Sequence, residues 1–356
     1  MNDKPCSAMH KFFPEFTGLP QSARDRYSVG RKTRLMALLA AVSVLSPVGT
    51  PRAAGIAQDY PSKPIRIIVM SGPGSGPDIL SRLMGTKLTE AWGQQIIVDN
   101  RAGANGIIGA EIGARAAPDG YTLLMVTSSA AIVAAIVEKL NYDLVKDFSP
   151  VSLLASTTFS MVVHPSVPAT SVKELIALAK AKPGELRYGS TGSGSPSHLA
   201  TEIFKSMTGI DLFHVPYKSV VPALTDTMAG QVQLTIQVVP SVLPMVKAGK
   251  LRVLGVTSLR RTSLAPDWPT ISESVAGYEV MGWYGLVAPA RTSGDIISRL
   301  NAELLKELKT SQFRERLAGI GAEPIGTTPQ EFATHIRAEM EKFRKAAKAA
   351  GVRMDM

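Results

Sequence analysis

Two stretches of this chain follow one plan, and together they limit the folds open to it. Residues 65–83 (IRIIVMSGPGSGPDILSRL) begin as an apolar run, break into Gly, Ser and Pro, and resume with helical spacing. Residues 186–207 (LRYGSTGSGSPSHLATEIFKSM) repeat that order about 120 residues later. Each reads as a short strand, a tight loop and a helix. Pro77 opens the first helix together with Asp78, and Pro196 follows Ser195 as N-cap of the second; a proline there gives up only an N–H that has no helical partner. Each loop therefore turns unpaired backbone N–H groups and the positive end of a helix dipole toward whatever lies above the strand, which favours carboxylate or phosphate. Both stretches also fit structural βα turns. If they belong to separate domains, a cleft between them holds an anion from both sides.

At 356 residues the chain has room for two domains, and 45% hydrophobic with 19% charged residues describes a globular protein. The net charge of +10 suggests nucleic acid until its location is considered. Residues 30–57 read as a secretory signal peptide: Arg31, Lys32 and Arg34, then an apolar run over 35–45 too short to span a bilayer, then Pro47, Gly49 and Pro51. Gly55 and Ala57 are the small residues a signal peptidase reads, which makes Gln58 the expected mature N-terminus. Residues 1–29 form a long leader, and translation starting later, at Met36 or an upstream codon, is the alternative. Residues 1–57 carry eight Lys/Arg and three Asp/Glu, leaving +5 for the rest. The single cysteine, Cys6, leaves with the leader, so neither disulfide nor thiolate metal site is expected. The expected location is the periplasm.

Further elements follow in order. Strands are expected at 95–99, 121–127, 214–216, 231–237 and 251–257. Helices are expected from the Gly-rich 101–109 through Arg115, after Ser171 and Glu174 (a capping box), over 222–228 and 293–309, and from Thr328 with Glu331 to about 350. The long apolar stretches 151–163 and 278–288 suit segments crossing between domains. Ser128 and Ser129 stand just past a strand end, where ligands bind in open α/β sheets, although two exposed serines also fit a plain loop. Lys342, Arg344, Lys345 and Lys348 alternate with Phe343 and alanines, a solvated face opposite a packed one rather than a nucleic-acid patch.

Enzyme motifs are missing. Neither loop supplies G-x-S-x-G or a P-loop lysine, and Pro77 occupies the third glycine position of a dinucleotide fingerprint. His164, His198, His214 and His335 show no metal-ligand spacing. His198, in the first turn of its helix, reads as packing locally or touching a ligand. Binding without turnover is the favoured reading, with no cofactor, no metal and no catalytic residue expected.

Ordered segments carry a resemblance: YPSKPIRIIV (60–69), DNRAGANGIIGAE (99–111), APDGYTLL (117–124), YDLVKDFSPVSLLA (142–155), SHLATEIFKSMTG (197–209), HVPYK (214–218) and KAGKLRVLGVTS (247–258). In these the chain resembles the periplasmic solute receptors of tripartite tricarboxylate transporters, the Bug proteins. The resemblance implies an α/β fold of the type II periplasmic-binding-protein kind, two domains joined by two crossing strands. That divides the chain into 58–157 with 284–356, and 158–283. It also implies a small carboxylate in the interdomain cleft, gripped by loops 71–78 and 190–197, and integral-membrane transporter subunits as partners. A monomer is expected. The first loop departs from the family's usual P-F-P-P-G-G-G-T-D: Ser71 replaces the aromatic and Pro77 the threonine. Ser219-Val220-Val221 replaces G-S-G, narrowing and greasing that corner, and Gln237 stands where the family often has an acid, disfavouring a ligand ammonium.

The site expected from these readings comprises backbone N–H groups of Gly74, Ser75, Gly76 and Asp78 around Pro77, and of Gly192, Ser193, Gly194, Ser195 and Ser197, with hydroxyls of Ser71, Ser75, Thr191, Ser193 and Ser195. Ser128, Ser129 and Gln237 read the remainder of the ligand. The alternatives are a ligand sensor feeding a signalling partner, and a periplasmic hydrolase, which a Ser–His hydrogen bond in the cleft would support.

Overall fold

The computed structural model describes residues 60–349 and 351–352. The leader, the signal peptide and the cleavage site after Ala57 lie outside them. The chain begins with β1 (Ile65–Val69), α1 (Gly76–Trp92), β2 (Ile96–Asn100), α2 (Ile107–Ala114), β3 (Thr122–Thr127) and α3 (Ser128–Ile136). A long β4 (Phe148–Val163) leads to α4 (Val172–Ala181), β5 (Arg187–Ser190), α5 (Pro196–Thr208), β6 (Phe213–Pro216), α6 (Val220–Met228), β7 (Leu234–Val238), α7 (Val239–Lys247) and β8 (Arg252–Val256). The remainder is β9 (Met281–Pro289), α8 (Gly294–Leu308), α9 (Ser311–Gly319), β10 (Ala322–Pro324) and α10 (Pro329–Ala349).

The strands form one mixed sheet in the order β2-β1-β3-β9-β4-β7-β5-β6, with β10 and β8 also paired to β4. Two parallel groups, β2-β1-β3 and β7-β5-β6, flank the antiparallel pair β9 and β4. The stretch read as a crossing segment is β4, which serves both halves. Residues 148–158 pair with β9, and 159–163 pair with β7 and β8. The return runs through β9, entered where Val280 N–H donates to the Thr257 carbonyl (3.1 Å).

The parallel strands carry apolar residues at successive positions because both faces are covered. On β1, Ile65, Ile67 and Val69 join the cluster with α1 and α8, through Leu80, Leu88, Leu300 and Leu304. Ile68 points the other way, into a second cluster with Leu124, Val126, Ile132 and Phe332. That cluster continues without interruption to Tyr188, Phe204 and Tyr278 in the other half.

The last helix joins the halves. Phe332, Ile336, Glu339, Phe343 and Ala347 form its buried stripe, and α10 packs on α3, β4 and α5. Arg344 and Lys345 lie outside the stripe and both pair with Glu341, at 2.8 and 3.6 Å, while Lys342 pairs with Glu339. Thr328 and Glu331 form the expected capping box. At Ser171 only half of one forms: Ser171 Oγ accepts from Glu174 N–H, but the Glu174 carboxylate turns to Thr170.

Candidate functional site

Four βα junctions converge on one cavity of about 290 Å³. Its wall consists of Met70 and Ser71 after β1, Gly103, Asn105 and Gly106 after β2, Thr127, Ser129 and Val133 where β3 becomes α3, and Thr191, Gly194, Ser195 and Pro196 after β5. Of the helices that follow, α2, α3 and α5 begin at this wall, with Gly106, Thr127 and Ser195 as their N-caps, while α1 begins at Gly76, which is not among the lining residues. No Asp, Glu, Lys, Arg or His side chain lines this cavity.

Helix α3 was not anticipated. Ser128 and Ser129, read as exposed loop residues, are its first two residues; Ser128 is buried and Ser129 half-buried. The strand passes into the helix at Thr127 with no loop between, and Thr127 makes no side-chain cap. The first N–H groups of α3 therefore have no helical acceptor and no capping oxygen.

The two glycine loops are more self-contained than the sequence suggested. The Gly74 N–H is given to Asp78 Oδ2 (2.8 Å), and Ser75, the N-cap of α1, gives its N–H to the Gly72 carbonyl (3.3 Å). Asp78 is 2% exposed and also receives Asn100 Nδ2 and Arg82, each at 3.0 Å. Burial alone would raise its pKa, but Arg82, the Gly74 N–H and Asn100 together hold its carboxyl below the usual carboxylate range. The Ser75 hydroxyl donates to the Gly72 carbonyl (2.7 Å), so in the 2.6 Å pair Ser71 Oγ is the donor. Gly76 packs against the Tyr284 hydroxyl of β9, and Pro77 is buried.

In the second loop Ser197 is a brace. Its hydroxyl accepts the Thr191 N–H (3.0 Å) and bonds the Thr191 and Ser195 hydroxyls at 3.2 and 3.1 Å. Gly192 gives its N–H to Ser190 Oγ (3.1 Å), Gly194 to His198 Nδ1 (3.0 Å) and Ser195 to the Gly192 carbonyl (3.1 Å). Ser193 lines a different hollow, beside Glu202 and Lys205. Gln237 is buried in β7, and its amide donates to Thr235 Oγ1 (3.0 Å). Of the expected residues, Ser71, Ser129, Thr191, Gly194 and Ser195 therefore line the cavity, while the others stand behind it or away from it.

A family model described as the tripartite tricarboxylate transporter family receptor matches residues 80–352. The chain belongs to this family. Its curated relatives include BugT of Bordetella pertussis, 33% identical over 325 residues, 90% of this chain and 99% of that one. Among solved structures, R. palustris Rpa4515 with adipate is 38% identical, covers 83% of this chain and 99% of that chain, and superposes with a TM-score of 0.72. MatC of Rhodopseudomonas palustris with bound malate is 27% identical, covering 81% and 99%, with a TM-score of 0.67. The fold is thus that of TctC-type solute-binding proteins, and the chain is a solute receptor rather than an enzyme. The family's receptors are periplasmic and work with tripartite transporters.

A Ser–His bond is nonetheless present. Ser190 Oγ and His214 Nε2 are 2.6 Å apart. Ser190 is completely buried, and neither residue lines the cavity. The rings of Tyr188, His198 and His214 stack on one another, with His214 4.8 Å from Tyr188 and 4.0 Å from His198. Burial and its neighbour His198 push its pKa down to about 4, too low for a general base at neutral pH. The bond is structural. His198 likewise packs locally, accepting from Gly194 and stacking on His214. Two of the family departures fall away from the cavity: Ser219 stands at the N-cap position of α6 with no side-chain capping bond, Val221 is 72% exposed, and neither lines the site; Gln237 has the buried role given above.

Proposed function

We propose that the chain binds a small organic carboxylate in this cavity and presents it to integral-membrane transporter subunits. The observation that carries this reading is three helix N-termini, those of α2, α3 and α5, around a cavity with no charged side chain. A bound anion meets backbone N–H groups, hydroxyls and an amide, with helix dipoles supplying the positive potential. Hydrogen bonds to a charged group contribute about 1.5–3 kcal/mol each. Four or five of them supply the roughly 8 kcal/mol of micromolar affinity without any lysine or arginine.

Most loop N–H groups are already bonded inside their own loops, so the loops act as rigid frames. The donors left for the ligand are the first N–H groups of the helices and the unengaged side chains of α3 and its neighbours. A ligand touching Ser71 and Ser129 on one side and Thr191 and Ser195 on the other favours the arrangement that brings residues 58–157 with 284–356 against 158–283. The relatives with bound adipate and malate support a carboxylate in particular. Export by the signal peptide at 30–57, with a mature chain starting at Gln58, and a monomeric receptor complete the reading.

Titration calorimetry against mono-, di- and tricarboxylates tests the central claim. Binding to at least one carboxylate is expected; clear binding to a sugar or a cation with none to any carboxylate overturns it. Mass spectrometry of the protein recovered from periplasm tests the start at Gln58.

A further inference from the structure

Away from the cavity, the two halves of the sheet meet again beside the point where β4 passes from β9 to β7 and β8. There the short strand β10 pairs with residues 155–157 of β4. It is firmly anchored in its own half. The Ile325 and Gly326 N–H groups donate to the Leu154 and Leu153 carbonyls (3.0 and 3.1 Å), and Ala322 is buried among Leu304, Leu317 and their neighbours. Glu323, at the centre of the strand, reaches into the other half. Its Oε1 accepts from the Thr262 hydroxyl (2.9 Å), the Ser263 hydroxyl (3.0 Å) and the Ser263 N–H (3.2 Å). These donors lie on the segment after β8, and that segment is fixed in its turn. Thr262 is buried, its carbonyl accepts the Ala265 N–H (3.2 Å), and Ala265 and Trp268 pack with Val162, Val239 and Val256.

A steric contact stands next to this polar one. Gly321, with φ of 73°, lies so close to the first turn of α7 that a Cβ there would overlap the Pro240 ring. The two contacts oppose each other. Backbone against the proline ring limits how closely the halves approach at this point, and the carboxylate resists their parting. Hydrogen bonds weaken once donor and acceptor separate beyond about 3.2 Å. A rotation about the crossing strands that opens this point by about 1 Å therefore breaks all three bonds together.

We infer that Glu323 is a positioning residue for the cavity. Its carboxylate, with Pro240 as the stop, biases the two halves toward the arrangement in which Ser71 and Ser129 share one cavity with Thr191 and Ser195. The apparent affinity of a site falls with the fraction of molecules in the competent arrangement, so Glu323 sets part of the affinity without touching the ligand. That consequence rests on the function proposed above; the bias itself does not, and its test needs no ligand.

Spin labels at Thr86→Cys on α1 and Lys180→Cys on α4, both exposed positions, report the separation of the halves in the unliganded protein, in a Cys6→Ser background. Double electron–electron resonance then gives the ratio of the arrangement with Glu323 engaged to more open ones. Glu323→Ala is expected to lower that ratio by about ten-fold or more, the equivalent of one hydrogen bond to a charged group. Ser263→Ala removes one of the three donors at an exposed position and moves the ratio the same way by less. The double variant moves it no further than Glu323→Ala alone, because both changes act on one contact. Thermal melts report whether each variant folds. Distance distributions that coincide in the wild type and in Glu323→Ala overturn the inference even if the melting temperature drops, since the contact is then purely structural. A double variant whose shift is the sum of the two single shifts also overturns it. Neither result touches the carboxylate reading, which calorimetry on the wild type decides.

Discussion

Asp78 shows how one residue can look like a ligand contact in sequence and act as a scaffold in the structure. Its carboxylate closes the first glycine loop from beneath, taking the Gly74 N–H, Asn100 and Arg82. Asp78→Ala is expected to cost about 1.5–3 kcal/mol, read as a lower denaturant midpoint, since it strands buried donors. Ligand affinity should fall with it as the loop loosens. With its pKa held below the ordinary value, the carboxylate contributes stability that is full above that value and lost as pH falls through the folded one. The positions Ser71, Thr191, Gly194 and Ser195 were legible because Gly, Ser and Pro between an apolar run and a helical period mark a βα turn. Asn105 and Thr127 were not. Asn105 sits in a Gly-rich run that was read only as the lead into a helix, and its left-handed backbone depends on Met70 and Ile108 packing at either end.

At the level of elements, α3 was the main omission, and its sequence explains why. SSAAIVAAI is buried on nearly every side, so it lacks the amphipathic period that marks a surface helix, and no Gly or Pro separates it from β3. Helix α7 escaped notice for the opposite reason, since Pro240 and Pro244 read as breaks although one lies in its first turn and the other inside it. Helix α5 was anticipated, but not the stack beneath it. Burial lowers His198 to about 4, with Lys205 adding to the effect; His214 lies at about 4 through burial first and then the His198 charge. Both are depressed from 6.5, so between pH 6.5 and 4 the unfolded chain takes up protons that the folded one refuses. Stability is therefore full above 6.5 and falls on acidification through that window, with Glu202, Lys205 and Tyr188 as the groups around the pair. Melting temperatures measured from neutral pH downward should show this slope. The double variant His198→Asn with His214→Gln, which keeps an acceptor for Gly194 and a partner for Ser190, should flatten it.

For the whole molecule, the paired crossing segments were readable from the length of 151–163 and 278–288, whereas the bridging role of α10 was not. Its stripe is visible in sequence, but the surfaces it meets, α3, β4 and α5, are brought together only by the sheet order. Phe332 rests on Gly285 of β9, where an added Cβ would overlap the ring. Gly285→Ala is expected to destabilise the chain by about 1–3 kcal/mol through overpacking. Chemical denaturation should show one transition shifted for the whole protein, because the core beneath α10 is continuous across both halves of the sheet.

The uncharged wall of the cavity sets how the receptor exchanges its cargo with its surroundings. A site whose lining has no ionisable side chain takes up and releases no proton of its own, so the pH profile of capture belongs to the acid being carried. Affinity is expected to stay level down to the point where that acid protonates. Added salt should also change affinity little, because no lysine or arginine stands ready to be screened. Calorimetry across pH and ionic strength would expose a hidden counter-ion as a steep dependence on either. On the function proposed above, release is expected to follow from drawing apart the helix ends at the cavity and not from neutralising a partner charge.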